Sequence, residues 1–263
     1  MRYAMEELMD GKEINHHILQ SLHSTLLSGV RSKGPLGQYR QDLVYIGKLN
    51  DPAEKATYIP PEFYLVREYM DDIIKFIKEG KKEPLIKAGL IHYQFEAVHP
   101  FNDGNGRLGR LLVPLILYNE RTLSSPILYL SGFFDENKDA YIDSLHEVDE
   151  TGNYENWLSF FLRAVTAQAK ETQDLIDQIY QLFEDTRDKY KNTKSLYFVP
   201  FIEFIFDCPV FTVQHEMKRL GISYVTAGRL IKMFRENGDI QELPVRLGHS
   251  KLYEFRPLID LLS

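Results

Sequence analysis

Apolar residues recur at helical spacing over most of this chain. Between Glu13 and Ser28, Ile14, Ile18, Leu22 and Leu26 fall four apart, with Leu19 and Leu27 widening the stripe; this predicts an amphipathic helix with His16 and His17 on its surface. The pattern then changes. Gly29 to Gly37 is a basic, glycine-rich loop. Leu43-Val44-Tyr45-Ile46 and Ala56-Thr57-Tyr58-Ile59 are short β-prone runs separated by turn chemistry at Asn50-Asp51-Pro52, which reads as a hairpin-like flap. Pro60-Pro61 ends the flap, and Phe63, Val66, Met70, Ile73 and Ile77 resume a spacing of three and four up to Gly80. Pro84 suits a first helical turn. The residues after it, Leu85, Ile86, Ala88, Leu90, Ile91, Tyr93 and Phe95, are apolar nearly all round, as expected at the centre of a bundle. That helix delivers the chain to His99, and a further helix is predicted from Arg107 through Leu108, Leu111, Leu112, Leu115 and Ile116, with Pro114 inside it.

Two more helices are expected, from Asp135 to Val148 and from Tyr154 to about Glu184. The polar run Asp188-Lys189-Tyr190-Lys191-Asn192-Thr193-Lys194 then reads as a linker. Beyond it, Phe201 to Phe206 is helical or buried. Thr212 to Leu220 and Tyr224 to Glu236 form a helix pair about the turn Gly221-Ile222-Ser223, and Gln241 to Leu247 with Lys251 to Phe255 supply two strands. The expected division is 1–187, linker 188–194, and 195–263.

The chain has 263 residues, 44% hydrophobic and 26% charged, with a formal charge of −7. That is the balance of a globular protein, and it argues against one that works by coating nucleic acid or anionic membrane. Cys208 has no second thiol for a disulfide or a structural metal, so a reducing cytoplasm is expected. The start Met1-Arg2-Tyr3-Ala4-Met5-Glu6-Glu7 is too polar for the core of a signal peptide. The run from Leu108 to Tyr118, broken by Gly109, Arg110 and Pro114, falls short of a membrane span.

Candidate chemistry is concentrated in His99-Pro100-Phe101-Asn102-Asp103-Gly104-Asn105-Gly106-Arg107-Leu108-Gly109-Arg110. A neutral histidine can take a proton from a hydroxyl, and an aspartate is the hard oxygen ligand that Mg²⁺ prefers. Gly-Asn-Gly at a helix N-terminus turns backbone N–H groups toward an anion, and two arginines neutralise the charge that remains. Gly104 to Gly109 also fits G-x-G-x-x-G, but a helix precedes it where the dinucleotide fold needs a strand. His92 and His99 belong to no zinc-ligand spacing.

The segment matches at all eight specified positions the His-x-Phe-x-Asp/Glu-Gly-Asn-Gly-Arg-x-x-Arg signature, and so resembles the Fic family. Gly37-Gln38-Tyr39-Arg40, Val44 to Gly47 and Tyr58 to Pro61 resemble the family's flap region. Tyr141, Leu145, Gly152, Trp157, Phe160 and Phe161 resemble its downstream helices. The resemblance implies a mainly α Fic-type helical bundle with a β-hairpin flap, and a protein adenylyltransferase that moves AMP from Mg·ATP to a Tyr, Thr or Ser hydroxyl. His99 would be the base and Asp103 the Mg²⁺ ligand. Gly104, Asn105, Gly106, Arg107 and Arg110 would hold the phosphates, and Tyr141 and Leu145 would border the adenosine. Ile142 stands where relatives often carry a second tyrosine. The flap residues Val44, Tyr45, Ile46, Tyr58 and Ile59 would pair with an extended target segment, and Phe101 would anchor the loop in the core.

The C-terminal segment resembles the small winged helix-turn-helix domains found after Fic domains. It holds eight Lys or Arg and eight Asp or Glu. A DNA reader shows a basic face; Arg229, Lys232 and Arg235 do lie three apart on the second helix, but such a row is usually a helix's solvated side, so DNA binding ranks behind target binding or self-association. The rival reading is a nucleotide-sensing, DNA-binding regulator without turnover; within enzymes, removal of AMP or transfer of another phosphate-containing group stays open. Many relatives carry an inhibitory Ser/Thr-x-x-x-Glu-Gly/Asn helix, and the first 30 residues contain no match to it. Thr151 to Asn156 fits that pattern on paper but occupies an ordinary turn before Trp157. Activity without inhibition in isolation, or inhibition by a separate partner, is the expectation, with self-modification and homo-oligomers as further possibilities.

Overall fold

The computed structural model describes residues 13–30, 32–47, 56–193 and 195–263. The polar start, the turn Asn50-Asp51-Pro52 and Lys194 lie outside the described residues. The chain is mainly helical and divides into two compact units, residues 1–170 and 171–263.

In the first unit, α1 (His16–Leu27) opens on Asn15, whose side chain accepts from the Ile18 N–H at 3.0 Å. Its inward face carries Ile18, Leu19, Leu22 and Leu27, together with a buried His23. His17 is exposed as expected, but His16 is half-buried and bridges the Tyr39 hydroxyl (2.8 Å) and Asp71 (2.6 Å). A short 3₁₀ turn, Phe63–Leu65, leads into α2 (Val66–Glu79), which buries Val66, Met70, Ile73, Ile74 and Ile77.

The next helix, α3 (Pro84–Val98), has proline in its first turn, and its first free N–H groups are capped by the Glu83 carboxylate (Leu85 at 3.0 Å, Ile86 at 3.2 Å). It is central, as its all-round apolarity predicts. Gly89 lets Phe161 and Trp157 approach: a Cβ there would come within 2.9 Å of the Phe161 ring, and the Trp157 indole N–H donates to the Gly89 carbonyl at 2.9 Å. Lys87, which is buried, pairs with Glu120 at 2.6 Å. Four more helices complete the N-terminal elements: α4 (Asn105–Asn119), α5 (Ser131–Glu136), α6 (Lys138–Thr151) and α7 (Glu155–Tyr190).

The run 188–194, expected as a linker, is in part helix, because α7 continues to Tyr190. Tertiary contacts hold this end: the Tyr190 ring stacks on Phe234 at 3.9 Å and its hydroxyl donates to Asp239 at 2.5 Å. The second unit continues with α8 (Phe198–Asp207), β1 (Val210–Thr212), α9 (Val213–Leu220), α10 (Tyr224–Glu236), β2 (Ile240–Leu247), β3 (Ser250–Phe255) and α11 (Arg256–Leu262). Thr212 and Ser223 cap α9 and α10, with Gly221 in the left-handed region between them (φ 65°). The sheet order is β1-β3-β2, antiparallel throughout, and the β2–β3 register is irregular between Glu242 and Arg246, where Pro244 cannot donate. Three-residue β1 and the terminal α11 carry no pattern long enough to read in advance. No helix among the described residues is long and apolar enough to cross a membrane.

Candidate active site

The last turn of α3 and the first turn of α4 are joined by the loop from His99 to Gly104. His99 caps α3 in the left-handed conformation (φ 48°), unusual for a residue with a side chain. Arg40 holds it there. The Arg40 guanidinium is buried and donates to the carbonyls of His99 (Nε, 2.8 Å), Val98 (3.3 Å), Pro61 (2.5 Å) and Asp42 (3.1 Å), while its backbone N–H reaches Pro100 at 2.9 Å. A cation set against the free carbonyls of a helix C-terminus also complements the helix dipole.

Phe101 is fully buried and stacks on His23 at 3.9 Å, so it anchors the loop. His23 is a second tether. Its Nδ1 accepts from the Gly37 N–H (2.9 Å), so its Nε2 carries the proton donated to the Asp103 carbonyl (2.9 Å). Gly104 has φ 78°, and a Cβ there would come within 2.9 Å of Leu27, so the turn requires glycine twice over. Helix α4 starts at Asn105, earlier than the expected Arg107, and the Gly-Asn-Gly main chain therefore forms its first turn. The Asn105 side chain closes the loop, leaving its main chain in the expected glycine turn: it accepts from the Phe101 N–H and donates to the Phe101 carbonyl, both at 2.8 Å, and is 1% exposed.

His99 Nδ1 faces the Glu96 carbonyl at 3.3 Å. A carbonyl only accepts, so Nδ1 carries the hydrogen and Nε2 is left with its lone pair. Burial pushes the His99 pKa down to about 4, which keeps the ring neutral at pH 7. Asp103 is half-exposed; its Oδ1 accepts from the Gly104 N–H at 2.6 Å and faces Arg107 at 3.4 Å. Arg110 donates from Nε to the Ser131 hydroxyl at 2.9 Å. Beside it lies Glu96, with Oε1 enclosed and without a hydrogen-bond partner.

A cavity of about 170 Å³ opens at His99, bordered by Ile46 and Tyr58 of the flap region, by Glu96, and by Tyr141, Ile142 and Leu145 of α6. Five expected site residues, His99, Ile46, Tyr58, Tyr141 and Leu145, thus share one cavity. The Tyr141 hydroxyl is bonded to His92 at 3.0 Å. Arg107 and Arg110 border a separate cavity with Leu26, Pro126, Tyr129 and Ser131. The described ends of the flap are paired antiparallel. Among the described residues the β-prone runs make one bridge, Ile46 to Tyr58, with N–H to carbonyl distances of 3.0 and 3.1 Å. Val44 is half-buried, Tyr45 and Ile59 are exposed, and the Tyr58 hydroxyl turns inward to the Ala97 carbonyl at 3.0 Å.

No group of three or more His, Cys, Asp or Glu among the described residues forms a metal cage. A single carboxylate such as Asp103 beside a helix N-terminus is still the usual protein share of a Mg²⁺ site completed by substrate phosphates, so the residues fit that ion. Four contributors were not assigned site roles from sequence. His23 and Arg40 act over 80 and 59 residues of chain, with no local pattern to reveal them. Ser131 lies outside any motif. Glu96, three residues before His99, did carry a signal, as the one carboxylate in the last turn of an otherwise apolar helix.

The helical bundle thus presents a neutral histidine beside a glycine turn at a helix N-terminus, a place whose free N–H groups suit an anion. Residues 13–117 match the Fic/DOC family model. Curated relatives include the probable protein adenylyltransferase aq_aa38 of Aquifex aeolicus (strain VF5), 32% identical over 117 residues, covering 44% of this chain and 32% of that protein. The protein adenylyltransferase fic-1 of Caenorhabditis elegans is 36% identical over 84 residues, covering 31% and 15%. The match spans about a third or less of these relatives. Among solved structures, a Fic family protein from Desulfovibrio desulfuricans G20 aligns with TM-score 0.57 and 22% identity over 96% of this chain and 72% of that one. Fic-1 (aa134–508) from C. elegans aligns with TM-score 0.51 and 23% identity over 66% and 49%. Both share the fold.

Proposed function

We propose that this protein transfers AMP from Mg·ATP to the hydroxyl of a Tyr, Thr or Ser side chain on a protein target, itself included. The observation that carries the reading is His99: neutral, with its Nδ1 hydrogen committed to Glu96 and its Nε2 free, at a cavity bounded by the flap bridge and by Tyr141 and Leu145. His99 Nε2 accepts the hydroxyl proton as that oxygen bonds to the α-phosphorus and the bond to pyrophosphate breaks. The N–H groups of the Gly104–Gly106 turn, the α4 dipole, Arg107 and Arg110 hold the phosphates and neutralise the charge that builds up on them. Leu145, Ile142 and the Tyr141 ring give the nucleoside an apolar wall, and the exposed edge beside Ile46 and Tyr58 pairs with the target's main chain. Mg²⁺ bound by Asp103 and the phosphates would add Lewis-acid charge neutralisation.

The curated relatives named as protein adenylyltransferases support this reading. Incubation with Mg·ATP followed by intact mass spectrometry tests it: an AMP-sized adduct on the chain or on an added target is expected. ATP that binds but is never transferred would favour the sensing role, and loss of an AMP adduct from a modified target would favour the reverse reaction.

For the second unit we propose a winged helix that selects a protein partner. Its helix pair and β2–β3 hairpin support that form. Arg229, Lys232 and Arg235 are exposed, but Lys232 faces Glu236 (3.6 Å) and Arg235 faces Glu242 (3.7 Å), while Tyr224 and Val225 present apolar surface at the start of the same helix. A reader of DNA phosphates keeps such cations free. Retention of random duplex DNA on filters, falling steeply with salt, would reverse this assignment.

A further inference from the structure

Glu96 stands where two glycines leave it room. A Cβ on Gly109 would lie 2.2 Å from Glu96 Oε1, and a Cβ on Gly106 would lie 3.3 Å from Arg110 Nη1 and 3.9 Å from each Glu96 oxygen. The carboxyl and the second motif arginine therefore both approach the backbone of Gly106, near enough for the arginine's charge to act on the carboxyl. Glu96 Oε1 is enclosed without a hydrogen-bond partner, and the residue also borders the His99 cavity. An enclosed carboxyl that makes no structural bond, kept beside a phosphate-binding arginine, is costly unless its charge is used.

We propose that Glu96 is a positioning residue for Arg110: it supplies the arginine's counter-charge in the free protein, and takes up a proton when the polyphosphate of a nucleotide occupies the turn. The proposal rests on the reading that the Gly104–Gly106 turn binds nucleotide. Without ligand, the Ser131 hydroxyl accepts from Arg110 Nε at 2.9 Å while an ionised Glu96 draws the guanidinium toward Gly106 by charge alone. Phosphates arriving there place negative charge next to the carboxylate, and protonation relieves the repulsion while leaving Arg110 to the ligand.

Burial pushes the Glu96 carboxyl up to about 7, with Arg110 opposing the rise, so the proton is available at physiological pH. The groups around it are Arg110 from α4, Tyr141 from α6, and His92 and His99 from its own helix, with Tyr58, His146 and Asp149 across the cavity. Burial holds both His92 and His99 down at about 4, so neither supplies a proton change near pH 7. The sign follows by linkage: the protonated form binds tighter, so affinity falls as pH rises through 7 and above.

Titration calorimetry of the full chain with Mg·ADP, run between pH 7 and 8.5 in two buffers of different ionisation enthalpy, counts the protons. The terminal phosphate titrates near pH 6 and is ionised throughout. The wild type should take up a substantial fraction of one proton and lose up to about tenfold in affinity per pH unit. Glu96→Gln should bind without proton uptake and with affinity flat in pH. Binding by the wild type with no proton uptake, or equal uptake by Glu96→Gln, overturns the proposal and leaves the Fic reading standing. Failure of Mg·ADP to bind at any pH overturns both. The wild-type count alone decides the matter if the variant melts early.

Discussion

The carbonyl of His99 accepts a hydrogen bond from Nε of Arg40 at 2.8 Å, across 59 residues of chain. The same guanidinium bonds Val98, Pro61 and Asp42, so one side chain ties the His99 turn to both ends of the flap segment. Arg40→Ala strands several buried carbonyls and should cost about 3 kcal/mol. Chemical denaturation would read that loss. AMP transfer should fall further than nucleotide affinity, because the left-handed turn that aims His99 loses its brace.

His99→Ala should fold with a melting temperature close to wild type and bind Mg·ATP, while transfer drops by roughly 10² to 10⁴-fold. Labelling of a target at the wild-type rate would remove His99 from the role of base.

Asn105→Asp separates a loop clamp from a ligand contact. The amide donates to the Phe101 carbonyl at 2.8 Å; a carboxylate oxygen there faces the carbonyl lone pairs instead. A loss of about 2 kcal/mol in folding stability is expected, as for a buried group left unpaired. If stability is unchanged and only ATP affinity falls, the side chain serves the ligand.

Acid should loosen the loop through His23. Burial is the main cause that holds its pKa below the ordinary histidine value, and its Nδ1 faces the Gly37 N–H, so the folded state prefers the neutral ring. Its contribution to stability is complete above the unfolded pKa of about 6.5 and is lost as pH falls through the lower folded value. Denaturant midpoints measured from pH 8 to 5 should fall on the acid side. His23→Phe keeps a ring on Phe101 and should show a shallower slope. An unchanged slope would place the proton elsewhere.

Glu155→Gly should leave transfer unchanged. Thr151 ends α6, Gly152 turns left-handed (φ 70°) and Glu155 opens α7, so the residues that match the inhibitory pattern share no helix. A large gain in AMP transfer by this variant would show Glu155 to be a brake.

What could be read in advance follows from the range of the interactions. Ile18 and Leu22 in α1, or Met70, Ile73 and Ile77 in α2, declare a buried face by spacing alone, and Pro84 and Gly104 mark their helix ends by local backbone chemistry. The motif residues are contiguous, so their chemistry was legible too. His23 and Arg40 were not: each acts through a partner that only the folded chain brings near. In the flap, Ile46 and Tyr58 of the two β-prone runs pair antiparallel among the described residues, as short apolar runs around a turn lead one to expect. Asp188 and Lys189 read as linker by polarity, yet Asp239 bonds Lys189 at 2.7 Å and draws that polar end into the fold.

The cavity at His99 and the one at Arg107 and Arg110 lie on different sets of walls, with the glycine turn as the residues' common link. On the proposed chemistry, a bound nucleotide straddles a divide: its nucleoside keeps to one chamber while its terminal phosphates reach toward the other. Once the bond at the α-phosphorus breaks, the two products are already sorted. Pyrophosphate can depart past Pro126 and Tyr129 while the modified target withdraws along the flap, so neither has to wait for the other to clear the doorway.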